Sequence, residues 1–155
     1  MQKFQEIAAD NNLKTVIRSA FDTDLPVSGA WGYSQSQATI IEANPTEIPL
    51  PQLEHMLASM RAYLEMNMTR SEEQRYGSIN VNELEREIVS EKDLAYHKIS
   101  YEVTAIPESL YASFIDEYKE NYGKEGFDLA RHFQKRKEAT LTRLIIHWFE
   151  VSKII

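Results

Sequence analysis

The chain has no cysteine. Disulfides and thiolate metal sites are therefore excluded, and the composition suits a reducing cytoplasm. Long apolar runs are missing as well. None approaches the roughly 18 residues that a membrane span requires. The opening stretch, Met-Gln-Lys-Phe-Gln-Glu-Ile-Ala-Ala-Asp, has no apolar core of a secretory signal. A cytoplasmic protein with no membrane partner is the expectation. Positive charge is scarce, with 17 Lys and Arg against 24 Asp and Glu, which leaves a net charge of −7. Phosphate neutralisation needs a basic surface, so no nucleic-acid partner is expected. A basic partner surface would be attracted instead. Glycines number only five, and they form neither a phosphate loop nor a dinucleotide turn. Histidines four apart on a helix, the zinc-protease spacing, are also missing, and Ser34 lies in no nucleophile elbow. No metal and no cofactor are expected.

What is present is enough to fold. Apolar residues make up 43% of a 155-residue chain. That length buries about 70% of the surface its unfolded form exposes, so one domain over 1–155 needs no staple.

Residues 3–20 show helical spacing in two stripes, Phe4–Ile7–Ala8 and Leu13–Val16–Ile17–Ala20, separated by the capping run Asp10-Asn11-Asn12. The stretch Phe21–Ser34 has no clean period and is punctuated by Pro26, Gly29 and Gly32. Ala38–Ala43 is a short β-prone run ended by Asn44-Pro45. Pro51 opens a helix whose apolar face gathers Leu53, Met56, Leu57, Met60 and Leu64, fraying near Thr69–Ser71. Glu54, Arg61 and Glu65 fall on its other side, with Arg61 and Glu65 spaced to pair at i,i+4. Ala95–Ala105 alternates with period two, and Ser90–Asp93 suits a turn, which predicts an antiparallel hairpin over 79–106. Residues 82–89 read as strand or as a helical turn capped by Asn82. His97 falls on the apolar side of its strand, as a satisfied core or edge histidine would. Pro107 stops the hairpin and starts a helix with Leu110, Tyr111, Phe114, Ile115, Tyr118 and Tyr122 on its apolar face. Gly123 and Gly126 end it. A long C-terminal helix is predicted from about Phe127 to Lys153, with Ala130, Phe133, Leu141, Leu144, Ile145, Trp148 and Val151 as its apolar face. The predicted class is α+β: a small antiparallel sheet of about three strands, including the 79–106 hairpin, packed against four or five helices.

Candidate site residues come from the irregular stretch and from the predicted last helix. Asp22 and Asp24 could present two carboxylates, and Trp31 and Tyr33 could stack on a flat ligand. At 100° per residue, His132, Arg136, Arg143, His147 and Glu150 share a sector about 60° wide. Such a stripe could hold an anionic ligand through guanidinium forks, with histidine moving protons near neutral pH. Each has a plainer reading: turn chemistry for the aspartates, a core plug for Trp31, and ion pairing or solvation for the stripe. No complete catalytic constellation emerges. The expectation is a small acidic protein-interaction or regulatory module, of inhibitor, immunity or adaptor type. The alternative is a small-molecule binder or enzyme, with an anionic-ligand site between the 22–34 stretch and the C-terminal helix. The apolar run at the C-terminus, ending in two isoleucines, offers a surface for the chain's own core or for self-association.

Overall fold

A computed structural model describes residues 4–7, 13–42, 48–68 and 70–154. Its elements are α1 (Leu13–Phe21), β1 (Val27–Gly29), β2 (Thr39–Ile41), α2 (Leu50–Tyr63), β3 (Tyr76–Glu91), β4 (Leu94–Pro107), α3 (Glu108–Asn121), α4 (Leu129–Ala139) and β5 (Leu141–Glu150). The class is α+β. The sheet is larger than the predicted three strands and is mixed rather than purely antiparallel. Its five strands run in the order β1-β2-β5-β4-β3, with β2 parallel to β5 and every other pair antiparallel.

The hairpin forms as the period-two pattern requires, slightly longer than expected. Residues 82–89 are strand, with Arg86 opposite Ile99 and Ile88 opposite His97. Lys92 and Asp93 link the strands with φ of 51° and 66°. Two successive positive φ values are those of a type I′ turn, whose twist matches that of the strands.

The largest correction concerns the C-terminus. No long helix runs from 127 to 153. α4 stops at Ala139, and Leu141–Glu150 is a strand inserted between β2 and β4. Leu141, Arg143, Ile145, His147 and Phe149 point to the core face, and Thr142, Leu144, Ile146, Trp148 and Glu150 to the other. β-Branched Thr140, Thr142, Ile145 and Ile146 favour that pleated surface. The helical stripe of His132, Arg136, Arg143, His147 and Glu150 therefore does not exist.

Two smaller corrections fall at the N-terminal side. Residues 4–7 carry no regular structure, and the Ile7 N–H is donated to the Tyr33 hydroxyl at 2.9 Å. The expected breaks at Asp10–Asn12 and Asn44-Pro45, and the fraying at Thr69, lie outside the described residues. The irregular stretch also contributes a strand of its own, β1, which flanks β2.

One face of the sheet is covered by α2, and α1 packs at its β1 edge. Leu13, Ile17, Leu53, Leu57 and Met66 meet Ile99, Tyr101, Val103, Ile145 and Phe149 in the core, and Ile154 packs at its margin. α2 ends in a five-residue π turn, Leu64–Met68, whose first four side chains are all buried. Asn67 there clasps the backbone of Tyr76 from both sides, accepting from its N–H at 2.7 Å and donating to its carbonyl at 3.1 Å. The α3–α4 pair covers only one end of the opposite face. The Tyr111 ring lies 3.4 Å from where a side chain on Gly77 would stand, and Ile106 beside it is buried. No residue of α3 itself is buried, so its predicted apolar face stays half open.

Candidate functional site

The residues singled out in the sequence separate into three places. Asp24 is an exposed partner of Lys14 and Arg18, at 3.5 and 3.2 Å, and Asp22 follows α1 as an exposed turn residue with φ of 51°. His132 and Arg136 stay in the α3–α4 hairpin. His132 is fully buried among Phe114, Tyr118, Phe127 and Phe133, and its Nδ1–H donates to Glu117 at 3.2 Å. That hydrogen bond, and then the one from Lys135, hold the Glu117 carboxyl below its ordinary range. Arg136 lies over the Tyr111 and Phe133 rings.

Trp31, Tyr33, Arg143 and His147 do converge, but inside the core and around two residues placed on the solvent side in the sequence. Glu65 and Arg61 of the α2 segment are both buried. Their i,i+4 pair forms at 3.1 Å. Arg143 from β5 reaches the other Glu65 oxygen at 3.0 Å, and the Tyr33 hydroxyl donates to Glu65 at 2.5 Å. Burial first, and then the Glu65 charge, push the Tyr33 phenol well up, so it remains a donor. The Arg61 guanidinium lies 4.1 Å from the Tyr33 ring centroid and donates to the carbonyls of Ile146 at 2.8 Å and Trp31 at 3.4 Å. One buried cation thus ties α2, the Gly29–Ser34 turn and β5 together. Charged residues are tolerated there because each is matched by opposite charge and hydrogen bonds.

His147 completes the cluster. The Thr39 hydroxyl donates to the Ala30 carbonyl at 2.6 Å, so its lone pair accepts from His147 Nε2–H at 2.8 Å. This network assigns the tautomer, leaving Nδ1 bare and buried with no hydrogen-bond partner. The ring stacks on Phe149 at 4.1 Å. Burial, and secondarily Arg61, hold the imidazole pKa well below its usual value. The unfolded chain takes up a proton near pH ~6.5 while the folded chain does not. Stability supplied by neutral His147 is therefore complete above that pH and falls as pH drops, by up to about 1.4 kcal/mol per unit. Urea melts between about pH 7 and about pH 5 should show a shallower loss for His147→Gln than for the wild type. Equal slopes would remove His147 as the source.

A second buried carboxylate sits three turns earlier on α2. Glu54, fully buried, receives Arg86 at 2.8 Å and His97 Nδ1 at 2.7 Å. Arg86 also forks onto Glu83. His97 is thus a satisfied core histidine. The open recesses lined by Tyr96, Val16, His55 and Asn121 include none of these buried charged side chains, and no three His, Asp or Glu side chains among the described residues converge as a metal-ligand set. The cations an anionic ligand would need are taken up by Glu65 and Glu54. The signal for both clusters was present as the 54–61–65 stripe, which charge alone assigned to solvent.

The unfilled chemistry lies on the opposite face of the sheet. Leu144 is 71% exposed and Ile146 43% exposed, although both are in the interior of β5. Trp148 continues the row, with Tyr96 against it at 6.3 Å between ring centroids and Lys98 over its ring at 5.3 Å. Opposite Leu144 and Ile146 on β4 stand Glu102 and Ser100. Beyond them on β3 come Asn82, Glu85, Glu87 and Val89. Tyr96 also lines an open cavity of about 500 Å³ with Ser34, Ser36, Glu91, Lys92 and Leu94, so the row runs into a recess beside the hairpin turn. No helix among the described residues is long and apolar enough to cross a membrane. The chain matches no known protein family, no curated protein and no solved structure.

Proposed function

We propose that this protein is an interaction module that docks another polypeptide on the exposed face of its sheet. The observation that carries this reading is the Leu144–Ile146–Trp148–Tyr96 row. Outward positions of a sheet face in water are mostly polar, whereas this one leaves Leu144 and Ile146 uncovered on its middle strand, with half-buried Trp148 and buried Tyr96 closing the row. The opposite face is packed over β4 and β5 and its charges are compensated, whereas Leu144 and Ile146 are exposed apolar side chains on the sheet's middle strand. Aromatic anchors beside aliphatic ones, ringed by polar groups, are what protein interfaces are built from.

The test uses Leu144→Ser with Ile146→Ser. Because both side chains are exposed, the double variant should melt within about 2 °C of the wild type. Its capture of a partner from cell extract should be lost where the wild type retains one. Equal capture by the two proteins, or collapse of the variant's fold, would refute the docking role.

A further inference from the structure

The charges around the exposed row specify its occupant. On the outward positions of β3, β4 and β5 stand Glu85, Glu87, Glu91, Glu102 and Glu150, against Lys98 on β4 and Lys92 beside Glu91 at the hairpin turn. Lys98 is already drawn over the Trp148 ring. Glu87 lies opposite Lys98 and Glu85 opposite Ser100, so two carboxylates flank the apolar row on its β3 side. Glu91 accepts from Gln35 at 2.6 Å and stands at the recess where the row ends. Of the cations on α4, Arg136 is drawn over the Tyr111 and Phe133 rings. α3 and α4 pack at the far end of the sheet, beside Gly77 and Ile106, and Lys135 is paired with Glu117.

Resting on the docking reading above, we infer that the occupant is a cationic polypeptide segment, with lysine or arginine side chains alternating with apolar ones. Its apolar positions would cover Leu144, Ile146 and Trp148, and its cations would meet Glu85, Glu87 and Glu102. A second copy of this chain fits less well. Two such faces brought together about a two-fold axis oppose acidic rims, and like charges across an interface disfavour pairing. The whole-chain charge of −7 adds long-range attraction for a cationic partner and repulsion between copies.

The probes are three synthetic peptides of equal length, alternating Lys with Leu, Glu with Leu, and Lys with Ser. They are titrated into the full chain with tryptophan emission and amide NMR shifts on β4 and β5 as readouts. The Lys/Leu peptide should bind at least about tenfold more tightly than either control, and added salt should weaken it. Glu85→Gln, Glu87→Gln and Glu102→Gln together should reduce its affinity by about tenfold, as three partly exposed ion pairs would. Leu144→Ser with Ile146→Ser should abolish its binding. If the glutamine variant binds as the wild type does while the serine variant fails, docking stands and the cationic occupant is overturned. If the serine variant binds like the wild type, the docking reading itself falls. A dimer in light scattering that the serine variant dissolves would give the face to a second copy and overturn the inference.

Discussion

Arg61→Ala should cost about 3–5 kcal/mol of folding stability, the loss expected when one member of a buried charge cluster is removed. For a domain whose total stability is about 5–15 kcal/mol, this is a large share. Three losses combine. The Glu65 carboxylate, buried in α2, gives up one of its two guanidinium partners. The Ile146 and Trp31 carbonyls lose their shared donor. The Tyr33 ring loses the cation held against it. Arg61→Lys should recover little, because an ammonium cannot reach a carboxylate and two carbonyls in the directions a planar fork does. Urea denaturation of Arg61→Ala, Glu65→Ala and the double variant gives the coupling directly. A loss under about 1 kcal/mol for Arg61→Ala would show that water reaches the cluster and replaces the missing donor.

Gly32→Ala should be nearly as damaging, by about 2–4 kcal/mol. A Cβ at this position would stand 2.0 Å from His147 Cδ2 and 2.4 Å from Nε2. The ring cannot retreat, since it is stacked on Phe149 and bonded to Thr39. Backbone conformation adds to the clash. Gly32 has φ of +81°, a region that costs an L-residue about 1–2 kcal/mol. Overpacking of a fixed core adds about 1–3 kcal/mol. Thermal melting should fall by about 10 °C, and His147→Ala in the same chain should restore part of it by removing the obstacle. A Gly32→Ala protein that melts within about 2 °C of the wild type would mean that the turn and the strand are not locked together.

Legibility in the sequence followed charge. The β3–β4 hairpin was readable because its inward positions, Ile99, Tyr101, Val103 and Ala105, are apolar and its outward ones polar. β5 was not, because two of its five inward positions are Arg143 and His147, and two of its outward ones are Leu144 and Ile146. With polar residues inside and apolar ones outside, the period-two signal cancels. Leu141, Leu144, Ile145 and Trp148 then fall at helical spacing by coincidence. The same effect hid Glu54, Arg61 and Glu65, which lie inside because they neutralise and are neutralised by Arg86, Arg143 and one another. The buried charges lie where mutual compensation overrides the rule that charge faces water. A site between the 22–34 stretch and a C-terminal helix belonged only to the alternative, small-ligand reading. Trp31 and Tyr33 do lie with Arg143 and His147, on a strand and around buried Glu65, while Asp22 and Asp24 stay at the surface.

The placement of β5 also sets a timetable for the newborn chain. The hairpin of β3 and β4 pairs residues close in sequence and can form on its own once both strands are synthesised. β2 cannot join them, because β5 lies between, and Thr39 must wait for Phe149. Until residue 150 has left the ribosome, β4 offers an unpaired edge and the core lacks its middle strand. Assembly then comes late and in one step, with Arg61 and Thr39 closing onto β5 as it arrives. A ribosome stalled before residue 141 should therefore present a protease-sensitive chain.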